Sequence, residues 1–352
     1  MSFKAAAIVL GLCTIGLLVA TIVLAVQNGQ DKTADVPATT MTETAPMDIL
    51  HELTAKGMAG ENPCDGKKPT GPGWDNSDCM VDEVVSVLEQ AGANVTVGYK
   101  GGLDVAGREP VTDEYYKVGL CPVNVHWHIG AEHLSVGEFD EDGAGPGKDG
   151  RRLGSDERLG FQCHHYDESD PKFTTPYEWQ FCKDMEVGQT YEIHWPHSAA
   201  GKCGTPNQYQ TPFYDGVFCD NGVVGELLSG AKLVNENIGV QGQVFTVVND
   251  DAFYYPDLIK GMIVDGEMGQ EVTKYTGSTT GTSRDNEVCS NYAPITWQVD
   301  RKCHMISASS FDKLCADMLT QRDDMEGDTH PHGARTVVAD HLSANNHVNF
   351  RY

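Results

Sequence analysis

The stretch Asn124-Val125-His126-Trp127-His128-Ile129-Gly130 decides how the rest of the chain is read. Its bulky apolar residues alternate with polar ones, as a strand requires. Successive side chains in a strand face opposite sides. Asn124, His126 and His128 therefore converge, while Val125 and Trp127 pack behind them. Two imidazoles on one pleated face can share an ion. A second segment, Thr190-Tyr191-Glu192-Ile193-His194-Trp195, has the same period, with Glu192 and His194 together and Tyr191, Ile193 and Trp195 opposite. His126, His128 and His194 would supply three neutral nitrogen donors and leave zinc one open position, which a catalytic site needs. Asn124 and Glu192 each stand two residues before a proposed ligand, on the face from which they could accept the second ring N–H. An HxH pair by itself is also a common accident of strands. The Glu-Ile-His partner is what lifts the metal reading above that alternative.

Around these two segments the pattern is mostly β. Gln243–Val248 and Ile295–Val299 are further strand candidates, separated by turn clusters. A helix is expected over Met80–Gln90, where Val81, Val84, Val85 and Leu88 recur at helical spacing. Another should begin near Ser309, with Phe311, Leu314, Cys315 and Met318 on one face. The stretch Gly137–Gly160 is rich in glycine and charge and reads as an exposed loop. The expectation is a mainly β chain built as one central-sheet domain over 61–352, with a few peripheral helices.

The 352 residues suffice for a sizeable core. With 25 Lys plus Arg against 51 Asp plus Glu, the net charge is −26. So acidic a surface argues against nucleic-acid binding and otherwise reads as solubility; it names no protein partner. After Lys4 the chain runs uncharged from Ala5 to Val26, long enough to cross a bilayer as a helix. Residues 1–27 thus read as a signal-anchor or a signal peptide, and 28–60 as a polar linker. The rest would be membrane-anchored on the extracytoplasmic side, or secreted. Beyond Cys13 there are ten cysteines without a CxxC pair, which reads as disulfides in an oxidising compartment, in no deducible pairing. Asn94-Val95-Thr96 is a glycosylation signal of low specificity.

The metal motifs resemble those of the carbonic anhydrases. The α class has a Q-x-H-x-H-W-G strand and a later E-L-H strand, similar to Asn124–Gly130 and Glu192–His194 here. Downstream, Tyr275-Thr276-Gly277-Ser278-Thr279-Thr280, Cys289 and Ile295-Thr296-Trp297-Gln298-Val299 resemble Y-P-G-S-L-T-T…C-V-T-W-I-V, and Ile306–Ser310 resembles the turn before a helix. The longer run Cys121–His133 looks more like the δ class of marine algae, while the Pro-Pro after the threonine pair is missing and Cys163, His164, His165 and Cys182 lie in an insertion. The resemblance implies an α-carbonic-anhydrase-like sheet and reversible hydration of CO2 to bicarbonate and a proton by a metal-bound hydroxide. It implies zinc, which cobalt or cadmium could replace, on His126, His128 and His194. It also places the hydroxide-orienting threonine on Thr280, with Thr279 as the neighbouring choice, and the glutamate that holds it on Glu132. A zinc ion so held lowers the pKa of its water to about 7, a value long established for these enzymes.

Proton export needs a group near neutrality, and His133, His164, His165 and His197 are candidates by proximity in sequence. His164-His165 otherwise reads as an exposed pair, and His330 and His332 are expected not to bind the metal. Two rivals remain. His126-x-His128-x3-Glu132 fits the core of a cupin motif, in which Glu132 would bind iron or manganese for oxygen chemistry, although Leu120 stands where that motif wants glycine and the second motif is missing. A non-catalytic ectodomain could keep the fold for adhesion or ligand binding, but such proteins typically lose a metal histidine.

Overall fold

The computed structural model describes residues 93–99, 109–146, 159–201, 226, 231–278, 294–321 and 329–334. The apolar run Ala5–Val26, the linker, the helix expected over Met80–Gln90, and Thr279, Thr280 and Cys289 lie outside these residues. Among the described residues no helix is long and apolar enough to cross a membrane.

The strands are β1 (Cys121–Pro122), β2 (His126–Ile129), β3 (Phe139–Asp140), β4 (Gln162–Cys163), β5 (Thr190–Ser198), β6 (Ile238–Val248), β7 (Val272–Ser278) and β8 (Pro294–Ser307). Among the described residues three complete α-helices accompany them: α1 (Pro171–Thr174), α2 (Val234–Asn237) and α3 (Ala308–Gln321). The molecule is mainly β, with a mixed central sheet of order β1-β5-β6-β8-β7 in which β2 also pairs with β5. All its pairings are antiparallel except the parallel β6–β8 pair. β3 and β4 form a separate small ribbon.

Each anticipated strand segment lies in or overlaps an observed strand, because β-branched and aromatic residues at alternate positions pack well on a pleated surface. The central strands are buried on both faces. Trp127, Tyr191, Ile193, Phe245 and Ile306 join one core cluster, which Phe311, Leu314, Cys315 and Met318 of α3 cover. On the other side Val123, Val240, Val299, Tyr275 and Trp297 form a second cluster. Helix α3 has its predicted apolar face, and the Ser307 hydroxyl accepts from Ser310 N at 3.2 Å in its first turn. Asp312 then accepts from the backbone N–H groups of Phe181 and Cys182 at 2.8 and 3.0 Å, tying the helix to the preceding loop.

Two disulfides have pairings no spacing rule could supply: Cys163–Cys303 joins β4 to β8, and Cys182–Cys315 joins that loop to α3. Cys121 is also disulfide-bonded.

Two expectations need correction. The segment 137–160 is not uniformly an exposed loop, since Phe139 and Asp140 are buried in β3. Phe139 contributes to the core, and the acidic Asp140 is retained because its carboxylate accepts from Gly137 N at 2.6 Å and Asp142 N at 2.9 Å. Asn94 does not present an exposed glycosylation acceptor either: it is buried, and its Oδ1 accepts from Thr96 N at 2.9 Å.

Candidate metal centre

The register of β2 on β5 assembles the centre. His126 stands opposite His194, and His128 opposite Glu192, in an antiparallel pair. Directly opposed residues share a face, so three imidazoles 66 to 68 residues apart in sequence at their widest meet on one side of the sheet. Their ring centroids are 5.2 Å apart for His126–His128, 5.3 Å for His126–His194 and 4.8 Å for His128–His194. All three are buried, as are Asn124, Glu132 and Glu192.

Each ring is held by an acceptor on one nitrogen. His126 Nδ1–H donates to Asn124 Oδ1 at 2.7 Å. His128 Nδ1–H faces the Gly333 carbonyl at 3.0 Å and Glu132 Oε1 at 3.1 Å. His194 Nε2–H donates to Glu192 Oε1 at 3.0 Å. These contacts assign the tautomers and leave the lone pair on His126 Nε2, His128 Nε2 and His194 Nδ1. His194 Nδ1 is buried with no hydrogen-bond partner, a costly arrangement for a polar atom unless something else takes up its lone pair. A cation does so. Asn124 and Glu192 thus stand where the sequence placed them, beside His126 and His194.

Glu192 is also the hub of a deeper network. Its Oε2 accepts from Glu132 N at 2.5 Å and His133 N at 3.2 Å, and its Oε1 lies 2.5 Å from His133 Nδ1. The far nitrogen of His133 meets the Tyr275 hydroxyl. Burial opposes the carboxylate's charge, but the imidazoles of His133 and His194 outweigh it and hold Glu192 well below the usual carboxylate range. Gly242 faces His194 from β6; a Cβ there would come within 3.1 Å of Glu192 Oε1, so glycine gives this carboxylate its room. Gly130, with φ +79°, turns the chain out of β2 towards Glu132 and His133.

The groups able to hold an ion are three overlapping sets, each with ligand atoms within 4.8 Å of one another: His126, His128 and His332; His128, Glu132 and His194; His133, Glu192 and His194. The anticipated trio straddles the first two and shares His128 with both. His332 was expected to stay away from the metal. The structure instead places it against His126, with ring centroids 5.2 Å apart, because the segment 329–334 pairs with β2 across about two hundred residues of chain. Its spacing in His330-Pro331-His332 is the same alternate spacing as His126 and His128, but no local pattern says which strand it joins. Tyr275 and the network role of His133 were also missed; both stand in runs quoted for the family resemblance, which was the available signal.

The remaining candidates are scattered. His133 is buried in the Glu192 network, between Glu192 and the Tyr275 hydroxyl. His197 is buried on the other face of β5, donates to the Trp195 carbonyl at 2.7 Å, and burial pushes its pKa down to about 4. His164 is exposed and lies 2.7 Å from Asp140, while His165 is half-buried and its pKa is lowered by burial. Glu132 contacts His128; Thr280, its expected partner, lies outside the described residues.

No curated protein matches the chain. A family model, that of the delta carbonic anhydrases, matches residues 117–310 and so takes in β1 through the start of α3, including every anticipated ligand. That span is more than half of the chain, and its histidine cluster is of the kind a metal-dependent hydration requires. The chain therefore belongs to the delta carbonic anhydrase family, and is a carbonic anhydrase acting on CO2 and bicarbonate.

Proposed function

We propose that the enzyme is zinc-dependent, with His126, His128 and His194 as ligands. The observation that carries this reading is the common design of the three rings. Each has one nitrogen held by an outer oxygen, from Asn124, Gly333 and Glu192 respectively, and the three rings lie 4.8 to 5.3 Å apart on one face of the sheet. Imidazole is a borderline-soft donor that suits zinc. When bound, the ion supplies Lewis acidity that lets water lose a proton near neutral pH. The chain's own work is to hold the tautomers, orient the rings, and keep the surroundings dry. Trp297 stands 5.0 Å from the rings of both His133 and His194 and walls the network. Glu132 lies against His128, at 3.1 Å from its Nδ1, and the threonine that the family resemblance pairs with it, Thr280 or Thr279, lies outside the described residues.

The compartment is part of the same proposal. The Cys163–Cys303 and Cys182–Cys315 bridges favour an oxidising environment, which suits a domain of residues 61–352 displayed outside the cytosol behind an anchor or a cleaved signal.

The test is CO2 hydration by the full chain after zinc loading, with and without an aromatic sulfonamide. Sulfonamide-sensitive hydration is the expected result. Complete zinc occupancy with no hydration would leave the ligand-binding ectodomain instead. Glu132→Gln addresses the cupin alternative: retained zinc with slower hydration is expected, and loss of metal would make Glu132 a ligand.

A further inference from the structure

We propose that His332 is a fourth imidazole ligand of the resting metal centre, delivered by the segment 329–334. The inference rests on the reading of this centre as a metal site, but concerns a residue beyond the span 117–310 that defines the family match.

Four observations converge. His332 N donates to the Trp127 carbonyl and Ile129 N donates to the His332 carbonyl, each at 2.8 Å, so this short segment pairs along the free side of β2. The bridge is parallel and matches His332 with His128. Paired residues present their side chains to the same face of a sheet, which here is the face of the ligand rings. The His332 ring lies 5.2 Å from that of His126 and 5.5 Å from that of His128, and is buried. Finally, its ligand nitrogen lies within 4.8 Å of those of His126 and His128.

The backbone is anchored at its start as well, since Lys183 N donates to the Thr329 carbonyl at 2.8 Å, next to the Cys182–Cys315 bridge. The segment also provides the Gly333 carbonyl that orients His128. It therefore brings both a donor to the centre and an acceptor behind it. His330, two residues earlier, turns its Nδ1 to the Pro331 carbonyl at 3.1 Å and belongs to none of the ligand sets.

The consequence is chemical. Four imidazoles close a tetrahedral zinc site, whereas catalysis needs an open position or a fifth one. With His332 bound, the centre would have no position left for water, so the ligation would belong to the metal-loaded chain at rest.

The experiment is zinc K-edge extended fine structure on the zinc-loaded full chain, with the wild type decisive even if a variant folds poorly. Four imidazoles per zinc are expected in the wild type and in His330→Ala, and three in His332→Ala. Zinc transfer from His332→Ala or His332→Gln to a chelator should also be about ten-fold faster than from the wild type. Three imidazoles in wild type and His332→Ala alike, with unchanged chelator kinetics, would overturn the inference. If that count then fell to two in His194→Ala, the proposed function would stand without His332. A wild type unable to bind zinc would sink both.

Discussion

Glu192 and His197 lie five residues apart on strand β5, both buried, on opposite faces of the sheet. Glu192 faces the metal centre and keeps its charge because His133, His194 and two backbone N–H groups surround it. His197 faces away, packs at 4.9 Å from the Tyr115 ring, and makes one neutral hydrogen bond to a carbonyl. Its charged form has no counter-charge among those contacts, and burial drives it towards neutrality. The same strand thus shows that burial alone does not set protonation. What decides is whether groups that hydrogen-bond and favour the charged form were buried together with it. The contrast extends to the whole strand: one face is a polar network whose members depend on each other, and the other is an apolar wall whose members need only fit.

The strongest way to break the comparison is His194→Ala. On the polar face it should remove one imidazole from the bound zinc, weaken zinc affinity and reduce CO2 hydration to the buffer background, with the fold retained by far-ultraviolet dichroism. An unchanged imidazole count with unchanged zinc affinity would show that His194 is not a ligand. The matching change on the apolar face is Trp127→Ala, since Trp127 lies on β2 against Phe311 of α3. It should cost about 3–5 kcal/mol in denaturant unfolding while zinc per folded chain stays at the wild-type ratio. Loss of zinc from the folded fraction would show that the faces are coupled.

His197 tests the electrostatic side. Its folded pKa of about 4 lies below the unfolded value of about 6.5, so the unfolded chain binds more protons between these limits. Its contribution is therefore fully present above about pH 6.5 and lost as pH falls towards 4, by about 3 kcal/mol in all. His197→Gln should flatten the acid limb of the stability profile by that amount relative to wild type. An identical acid limb would place a counter-charge near His197. The mildest expected change is Glu192→Gln, which keeps the shape but removes the charge. Zinc affinity should fall by about 10–100-fold, measured by competition with a chromophoric chelator. No change would mean that the carboxylate serves His133 and Tyr275 rather than the ligand.

The ease of reading these residues from sequence follows how local their partners are. His126, His128, Glu192 and His194 were legible because period two assigns each to a face without knowledge of any other strand. The placement of Asn124 beside His126 and of Glu192 beside His194 was legible for the same reason, each being two residues from its ring. Helix α3 was legible from its own apolar stripe. Phe139 and Asp140 were misjudged because glycine and charge dominate their surroundings, and only the pairing with Gln162–Cys163 makes them a strand. His332 was misjudged more deeply, since nothing within its neighbourhood specifies that it pairs with β2.

By itself, then, the chain's order of residues determined that two pairs of polar side chains would share faces of strands, and that apolar residues would back them. Only the tertiary structure decided that β2 and β5 align His126 with His194, that Cys163 finds Cys303, and that a third segment closes on β2 with His332 and Gly333. The physical reason is range. Alternation is imposed by the geometry of consecutive peptide units, whereas register and pairing are settled by burial and hydrogen bonding summed over distant segments, which no local window contains.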